Sequence, residues 1–378
     1  MKITQIESFV LRAKLDKPFY FSQWSYSERS ICLVKITTDG GFVGWGEGYG
    51  PATIIDKGIE FLKPLIIGKD PTENETIWYE MYRKTLDFAR RGVLMASVSA
   101  LDIAIWDLKG KILDLPVYKM LGGKHRDRVQ PYATGLYFSK SKFLSDELVI
   151  EAKNYVKEGF KAIKMKVGLS LEEDIHNIKC IREAIGDEIK LMVDANHAYS
   201  LREAFELSRM MEPYRICWFE EPISPEFYSQ YRELREKTNI PIAAGECEYL
   251  RYGFHQLLEN KSVDILQLDI GACGGITESK RIANLAATYG IEVIPHIWGS
   301  GISLNVAIHF IANLEPMPGR LNNPDVYMEY DRTENPIRES ITSPSIKFEN
   351  GFISIPSTSG LGLKVNEDII LQYQENNI

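Results

Sequence analysis

The chain is short of cysteines and long apolar runs, and each shortage excludes a class of protein. Its five cysteines are odd in number and form no CxxC pair, which argues against a disulfide framework. No run approaches the ~20 apolar residues of a membrane span. The N-terminus MKITQIESFV alternates like a strand and does not resemble a signal peptide. We therefore expect a cytoplasmic protein with reduced thiols and no membrane partner.

The chain also lacks a stretch rich in Lys and Arg. Its net charge is −8 and its pI is near 5.5, which argues against a nucleic-acid partner, because binding one requires a surface rich in Lys and Arg. Hydrophobic residues make up 44% and charged residues 25%, which is typical of a globular protein with a sizeable core. At 378 residues the chain is too long for one ordinary domain but fits a barrel with a satellite domain.

Two kinds of pattern divide the chain. Strand-like runs (ITQIESFVLRA and SICLVKITTDGGFVGWGE) precede helical patterns at 54–113, which predicts an α+β unit. From 129 to 318, seven short apolar strands alternate with helical segments, and an eighth strand is predicted near 322–329. This alternation predicts a parallel (β/α)8-type barrel. No GxGxxG follows its first strand, which disfavours an open dinucleotide-binding sheet.

Polar residues occupy the ends of these strands, where apolar residues are expected. They are Lys164, Lys166, Asp194, Asn196, Glu220, Glu246, Asp269 and His296. Between Asp194 and His296 the charged positions follow one another at intervals of 23–27 residues, about one βα unit each. Because the carboxyl ends of barrel strands meet at one mouth, we expect these side chains to form one site.

Asp194, Glu220 and Glu246 form a predicted metal site. Three carboxylates on adjacent strands would repel one another unless a cation lay between them, and a set of oxygen ligands favours Mg²⁺. Strand alternation turns Glu221 to the opposite face, so Glu220 is assigned to the metal. The alternative is that the three are solvated or salt-bridged charges.

Lys164 and Lys166 point to the same side of their strand. Lys164 is predicted to neutralise a substrate carboxylate and, through its charge, to favour the neutral, basic form of Lys166. Across the mouth, Asp269 is expected to orient His296 and raise its pKa for acid–base work. The alternatives are structural ion pairs for the lysines and a structural role for the histidine. His197 and Asn196, just past the third strand, are predicted substrate contacts.

In order, these motifs resemble the enolase superfamily, in its mandelate racemase/muconate lactonizing branch. The resemblance covers essentially the whole chain. The matching segments are ALDIAIWDLKGK (100–111), KMK (164–166), VDAN (193–196), WFEEP (218–222), AAGE (243–246), the GG-containing run after Asp269, and IPHIWG. The Lys-x-Lys and His-Asp pairs are similar to those of the mandelate racemase subgroup.

The resemblance implies an α/β fold: a modified TIM barrel, (β/α)7β, at 126–338, with an α+β capping domain at 1–125 completed by 339–378. It implies one essential Mg²⁺ and removal of the proton α to a carboxylate to give an enediolate. Glu329, in VYMEYDRT, would hydrogen-bond that carboxylate or enediolate. A homo-oligomer is also implied.

The reaction that follows is left open by the motifs. Within the subgroup the chain most resembles cycloisomerases of galactarolactone and acid-sugar dehydratases, which implies β-elimination from a sugar acid or its lactone. Racemisation or epimerisation of a 2-hydroxy acid needs the same residues, and a non-catalytic binding protein is a remote alternative. The resemblance places specificity at 16–29 and 45–53, where Tyr20, Trp24 and Arg29 are predicted substrate contacts. Equally, the aromatic residues of the first segment would pack the domain interface.

Overall fold

The computed structural model describes residues 1–375, which begin with an antiparallel sheet and a layer of helices. The elements are β1 (Ile3–Phe21), β2 (Trp24–Thr38), β3 (Val43–Gly48), α1 (Ala52–Leu62), α2 (Asn74–Thr85), α3 (Val93–Leu113) and α4 (Val117–Met120). β1 and β2 form a long hairpin, and β3 pairs with β2. Gly46 allows β3 to lie directly on α3, since a Cβ there would be 2.1 Å from the Ala100 carbonyl oxygen. This is the α+β capping domain.

The barrel follows as strands that alternate with helices. Its elements are β4 (Arg128–Thr134), α5 (Leu144–Glu158), β5 (Ala162–Lys166), α6 (Leu171–Ile185), β6 (Lys190–Asp194), α7 (Leu201–Met211), β7 (Ile216–Glu220), α8 (Tyr228–Lys237), β8 (Ile242–Ala244), α9 (Leu250–Glu259), β9 (Ile265–Leu266), α10 (Gly275–Thr288), β10 (Glu292–Val293), α11 (Gly301–Asn313) and β11 (Tyr327–Asp331). β4 to β10 are parallel neighbours in chain order, and β11 pairs in parallel with β4. The described residues therefore form the (β/α)7β barrel.

A buried layer fills the barrel below its mouth. It is built from Tyr132, Ala162, Met192, Trp218, Ala243, Ile265 and Ile294, one from each of seven strands or their direct continuations. Residues two positions apart on a strand share a face. Lys164, Asp194, Glu220 and His296 each lie two residues beyond a member of this layer and so project into the mouth above it.

The C-terminal segment contacts both domains. Its elements are β12 (Thr342–Ser343), β13 (Phe348–Glu349), β14 (Phe352–Ser354), β15 (Lys364–Val365) and α12 (Glu367–Tyr373). β14 pairs with β4 of the barrel, whereas Glu367 forms an ion pair with Lys35 of β2 at 2.7 Å. The predicted domain boundaries at 125 and 338 remain our proposal.

Two buried acidic side chains join the capping domain to the barrel. Glu47 of β3 accepts hydrogen bonds from the backbone amide (2.9 Å) and hydroxyl (2.5 Å) of Ser300, and Asp102 of α3 accepts from the Thr277 amide (2.9 Å). Each provides an acceptor to the first turn of a barrel helix, where amides lack partners within the helix. Burial raises the pKa of Glu47 and raises that of Asp102 to about 7. Within residues 1–375, no helix is long and apolar enough to cross a membrane.

Candidate active site

Four of the predicted residues lie side by side at the ends of three adjacent strands. Lys164 and Lys166 belong to β5, Asp194 ends β6 and Glu220 ends β7. The strand register pairs Lys166 with Asp194, and Asp194 with Glu220. All four are buried. The spacing of about one βα unit therefore brings these residues together, as the sequence predicts.

Lys164 is surrounded by carboxylates. Its Nζ lies 2.5 Å from Glu220 Oε1, 2.8 Å from Glu329 Oε1 and 3.6 Å from Asp194 Oδ2. Burial alone would lower the pKa of Lys164, but these carboxylates outweigh it and raise the pKa well above its usual value. Lys164 is therefore a fixed positive charge.

Lys166 has a different environment. Its Nζ donates to Asp194 Oδ2 at 2.5 Å and to Asn196 Oδ1 at 2.7 Å. It also lies over the Tyr137 and Phe21 rings, 5.0 and 5.7 Å from their centroids. Phe21 ends β1, so the capping domain forms one wall around this ammonium group.

His296 lies on another side of the mouth, beyond the end of β10. Its Nδ1 is 2.7 Å from Asp269 Oδ2, and its Nε2 is 3.4 Å from Glu246 Oε2. Burial would lower the pKa of His296, but Glu246 and the hydrogen bond to Asp269 outweigh burial and raise the pKa to about 10. The imidazole is thus held by Asp269 in a form that can donate a proton.

Glu329 links the two sides of the mouth. It accepts hydrogen bonds from Thr134 Oγ1 at 2.6 Å and from the Ile297 amide at 2.9 Å, and it also contacts Lys164. Burial would raise the pKa of Glu329, but Lys164 and His296 outweigh it and lower the pKa to about 2.

A cavity of about 1060 Å³ opens from the mouth toward the capping domain, and Tyr20, Trp24, Arg29 and Glu246 are among its lining residues. Trp24 is 67% exposed at the start of β2. Arg29 is buried and bonded to Asp331 Oδ2 and to the Glu334 carbonyl, each at 2.9 Å.

The guanidinium of Arg29 also lies 4.3 Å from the centroid of the Trp298 ring. These contacts favour a structural role for Arg29 over the predicted substrate contact. Phe19 and Phe21 pack against Tyr26 and Tyr137. This agrees with the alternative prediction that aromatic residues of segment 16–29 pack the domain interface.

Two family models match the chain. Residues 5–122 match the mandelate racemase/muconate lactonizing enzyme N-terminal domain, and residues 147–369 match the enolase C-terminal domain-like family. The chain belongs to the mandelate racemase/muconate lactonizing enzyme family of the enolase superfamily.

Relatives in this family carry several activities. The chain is 38% identical to D-galactarolactone cycloisomerase of Agrobacterium fabrum over 374 residues, 99% of each chain. It is 39% identical to arabinonate dehydratase of Saccharolobus solfataricus, covering 91% of this chain and 90% of that one. Among solved structures, the 3,6-anhydro-D-galactonate cycloisomerase of Zobellia galactanivorans is 48% identical, with a TM-score of 0.91 and complete coverage of both chains.

A more distant solved structure is a mutant L-talarate/galactarate dehydratase liganded with Mg and L-glucarate. It is 26% identical, with a TM-score of 0.88, and the match covers 99% of this chain and 92% of that one. Family membership and these relatives make the chain an enolase-superfamily enzyme.

The charges of the mouth suit the Mg²⁺ used in this family. Six carboxylates face only three cationic groups, and this surplus of negative charge favours a bound cation. The carboxylates are Asp194, Glu220, Glu221, Glu246, Asp269 and Glu329; the cations are Lys164, Lys166 and His296. Burial, together with the neighbouring carboxylates, raises the pKa of Glu220 to about 7 despite Lys164. The oxygen-only set Asp194, Glu220 and Glu246 fits Mg²⁺.

Glu221 departs from the prediction for this site. Alternation along a strand would turn it away from Glu220, but β7 ends at Glu220 and Glu221 has a φ of +41°. The backbone therefore turns at this point, and Glu221 contacts His197 instead, with Oε2 3.0 Å from Nε2. Burial, followed by Glu246, Asp194 and Glu220, raises the pKa of Glu221 well above its usual value.

Two neutral residues of the site are absent from the sequence-based prediction. Gln267 Nε2 and Trp218 Nε1 donate to Glu220 Oε2 at 2.7 and 2.9 Å, which fixes the orientation of that carboxylate. Neither carries a charge, and each is adjacent to apolar residues in the sequence. The sequence signal that could have found them is their spacing. Trp218 lies two residues before Glu220 and Gln267 two residues before Asp269, so each faces the same side of its strand as a predicted site residue.

Proposed function

We propose that this enzyme removes the proton α to the carboxylate of a sugar acid or its lactone and then expels an oxygen substituent from the β-carbon. The observation behind the proposal is that Lys166 and the His296–Asp269 pair occupy separate sides of one mouth, with a cluster of carboxylates and Lys164 between them. Such an arrangement provides a base and an acid to opposite faces of a bound carboxylate.

Each protein group has one task in this proposal. Lys166 takes the α-proton, and the enediolate that forms develops negative charge on the carboxylate oxygens. Lys164 lies beside that carboxylate, where its ammonium group balances the developing charge. Glu329, whose pKa, despite burial, Lys164 and His296 lower to about 2, is ionised in the free enzyme and positions the Lys164 ammonium group rather than donating a hydrogen bond. His296 donates its proton to the departing oxygen, and Asp269 positions its ring.

Asp194, Glu220 and Glu246 are the residues that would hold the Mg²⁺ ion. When bound, the ion would supply a Lewis acid that stabilises negative charge on the substrate carboxylate. Asn196 and Tyr20 are proposed to contact the hydroxyl groups of the substrate, and Trp24 to close the outer end of the cavity.

We favour a cyclic substrate, in which the departing oxygen belongs to the ring. Two relatives named as cycloisomerases, at 48% and 38% identity, align over at least 99% of the chain. In such a reaction the α-carbon–hydrogen bond and the β-carbon–oxygen bond break, and the enol product becomes a 3-deoxy-2-keto acid of unchanged mass. The similarity to arabinonate dehydratase supports a second candidate, in which the departing group is water.

Racemisation or epimerisation is the alternative within this family, since Lys166 and His296 could exchange a proton without elimination. A binding protein without catalysis gains little support. Burying two lysines, a histidine and six carboxylates together costs free energy that a binding scaffold has no reason to retain. A homo-oligomer and a cytoplasmic location remain predictions.

A substrate screen by proton NMR tests the proposal. The enzyme is incubated with Mg²⁺ and a set of aldonic, aldaric and anhydro-sugar acids and their lactones, in D₂O and in H₂O. We expect one compound to give a 3-deoxy-2-keto acid. In H₂O, unchanged mass identifies cycloisomerisation, whereas the loss of one water identifies dehydration.

Two outcomes would overturn elimination as the reaction. Deuterium at the α-carbon without a keto product would identify racemisation or epimerisation. No turnover and no α-exchange with any acid that demonstrably binds would instead support the binding protein. The Lys166→Ala variant is the control, because a product formed equally by it would not arise at this site.

A further inference from the structure

A second group of ligating side chains lies beside the predicted Mg²⁺ residues and shares none of them. The side chains of His197, Glu221 and Cys247 each offer one atom, and these atoms all lie within 4.8 Å of one another. Each follows a strand end: β6, β7 and β8, respectively. His197 Nε2 is 3.0 Å from Glu221 Oε2 and 3.5 Å from Cys247 Sγ.

The second ring nitrogen of His197 has a hydrogen-bond acceptor beside it. Nδ1 lies 3.4 Å from the Ile223 carbonyl oxygen, which can only accept a hydrogen bond. An Nδ1–H that donates to this carbonyl leaves the Nε2 lone pair free to bind a cation between Glu221 and Cys247. A ligating histidine typically donates its other N–H to a carbonyl or carboxylate in this way.

Glu221 is the second observation that points to a cation. Its side chain is 1% exposed, and Oε2 makes no hydrogen bond of good geometry despite the nearby imidazole. This buried oxygen without a hydrogen-bond partner lies 3.0 Å from an imidazole nitrogen, and a cation bound to both atoms would satisfy it. The surplus of carboxylates around the mouth adds to this demand.

We propose that His197 Nε2, Glu221 and Cys247 Sγ form a second metal site, selective for a borderline divalent cation such as Zn²⁺ over Mg²⁺. In a tetrahedral zinc site with bonds of about 2.0–2.3 Å, ligand atoms lie roughly 3.3–3.6 Å apart. The observed separations of 3.0 and 3.5 Å are close to these values. Nitrogen and thiolate ligands exclude Mg²⁺, which prefers oxygen.

The site has an entry route and an open coordination position. Cys247 lines the large cavity, next to Glu246. Three protein ligands leave the fourth position of a tetrahedral ion for water or a substrate oxygen. Zn²⁺ bound there would lie beside the catalytic mouth and would make turnover sensitive to zinc.

Cobalt absorption tests the site directly. Co²⁺ is titrated into the full-length reduced protein in saturating Mg²⁺, and the near-ultraviolet thiolate-to-cobalt band is recorded. We expect the band to appear with one equivalent and to be displaced by Zn²⁺. Cys247→Ser should abolish it, and His197→Gln should weaken Co²⁺ binding more than about tenfold, since even changes behind metal ligands cost about 10- to 100-fold.

Cys180→Ser is the matched control. Cys180 Sγ also lies near a histidine, 3.7 Å from His176 Nε2 on α6, but outside this cluster. The control should retain the full band. A band that survives Cys247→Ser, or that disappears with Cys180→Ser, would overturn the proposal. So would wild-type protein without a band, which would show that His197 and Glu221 form only an ion pair.

Discussion

Replacing Lys164 with methionine tests whether one ammonium group holds the carboxylates of the mouth together. Methionine keeps most of the side-chain length but removes the charge that lies 2.5, 2.8 and 3.6 Å from Glu220, Glu329 and Asp194. Removing one partner of a buried ion pair costs about 3–5 kcal/mol, because the other partner stays buried without compensation. We expect the free energy of unfolding of the metal-free variant to fall by that amount.

The same substitution should strengthen Mg²⁺ binding. The ammonium group contacts both Asp194 and Glu220, so it competes with any cation that those carboxylates would bind. We expect the affinity of Lys164→Met for Mg²⁺ to rise at least tenfold, which corresponds to about 1.4 kcal/mol. Mg²⁺ should therefore restore stability in the variant more than it raises stability in the wild type.

Urea unfolding, followed by circular dichroism with chelator and with Mg²⁺, measures the first effect, and calorimetric titration measures the second. Lys161→Met is the control, because Lys161 is an exposed lysine that precedes the same strand. The reasoning fails if Lys164→Met unfolds at the wild-type urea concentration in chelator, or if it binds Mg²⁺ more weakly than the wild type.

Three further predictions concern single residues. We expect kcat to fall by about 10²–10⁴-fold in Lys166→Ala and in His296→Ala, with an unchanged circular dichroism spectrum. A variant with a near wild-type rate would show that its residue is neither the base nor the acid of the reaction. Glu246→Gln should weaken Mg²⁺ binding in a calorimetric titration, and unchanged affinity would exclude Glu246 as a ligand. Burial lowers the pKa of His309 to about 4, so only the unfolded chain gains its proton below pH ~6.5. The free energy of unfolding should then fall by about 2 kcal/mol from pH 7 to pH 5 because of this residue. Urea unfolding at the two pH values should show a smaller fall for His309→Gln than for the wild type. An equal fall would show that His309 is not buried in its neutral form.

The residues of the mouth could be predicted from sequence because a barrel converts a repeat along the chain into neighbours in space. Asp194, Glu220 and His296 are separated by whole βα units, so their positions at strand ends follow from counting residues. The fold was predictable for the same reason, since each strand and helix of the barrel has its own local pattern.

Contacts between distant segments could not be predicted in this way. The ion pair of Arg29 with Asp331 spans 302 residues, and nothing local distinguishes it from a substrate contact. Glu221 was wrongly turned away from the site, because alternation applies only while the chain stays extended and β7 ends one residue earlier. The His197–Cys247 contact spans 50 residues, and His197 lies in a backbone turn of its own, with a φ of +68°.

Glu47 has a consequence for how such a protein can evolve. Its carboxylate comes from the capping domain, yet it satisfies the amide and hydroxyl of Ser300, four residues after His296. A barrel that acquired a capping domain without this glutamate would leave those groups unpaired close to His296. The capping domain and the barrel are therefore coupled through this contact, and we expect a barrel that receives a foreign capping domain to stay stable only where the new domain supplies a carboxylate at the position of Glu47.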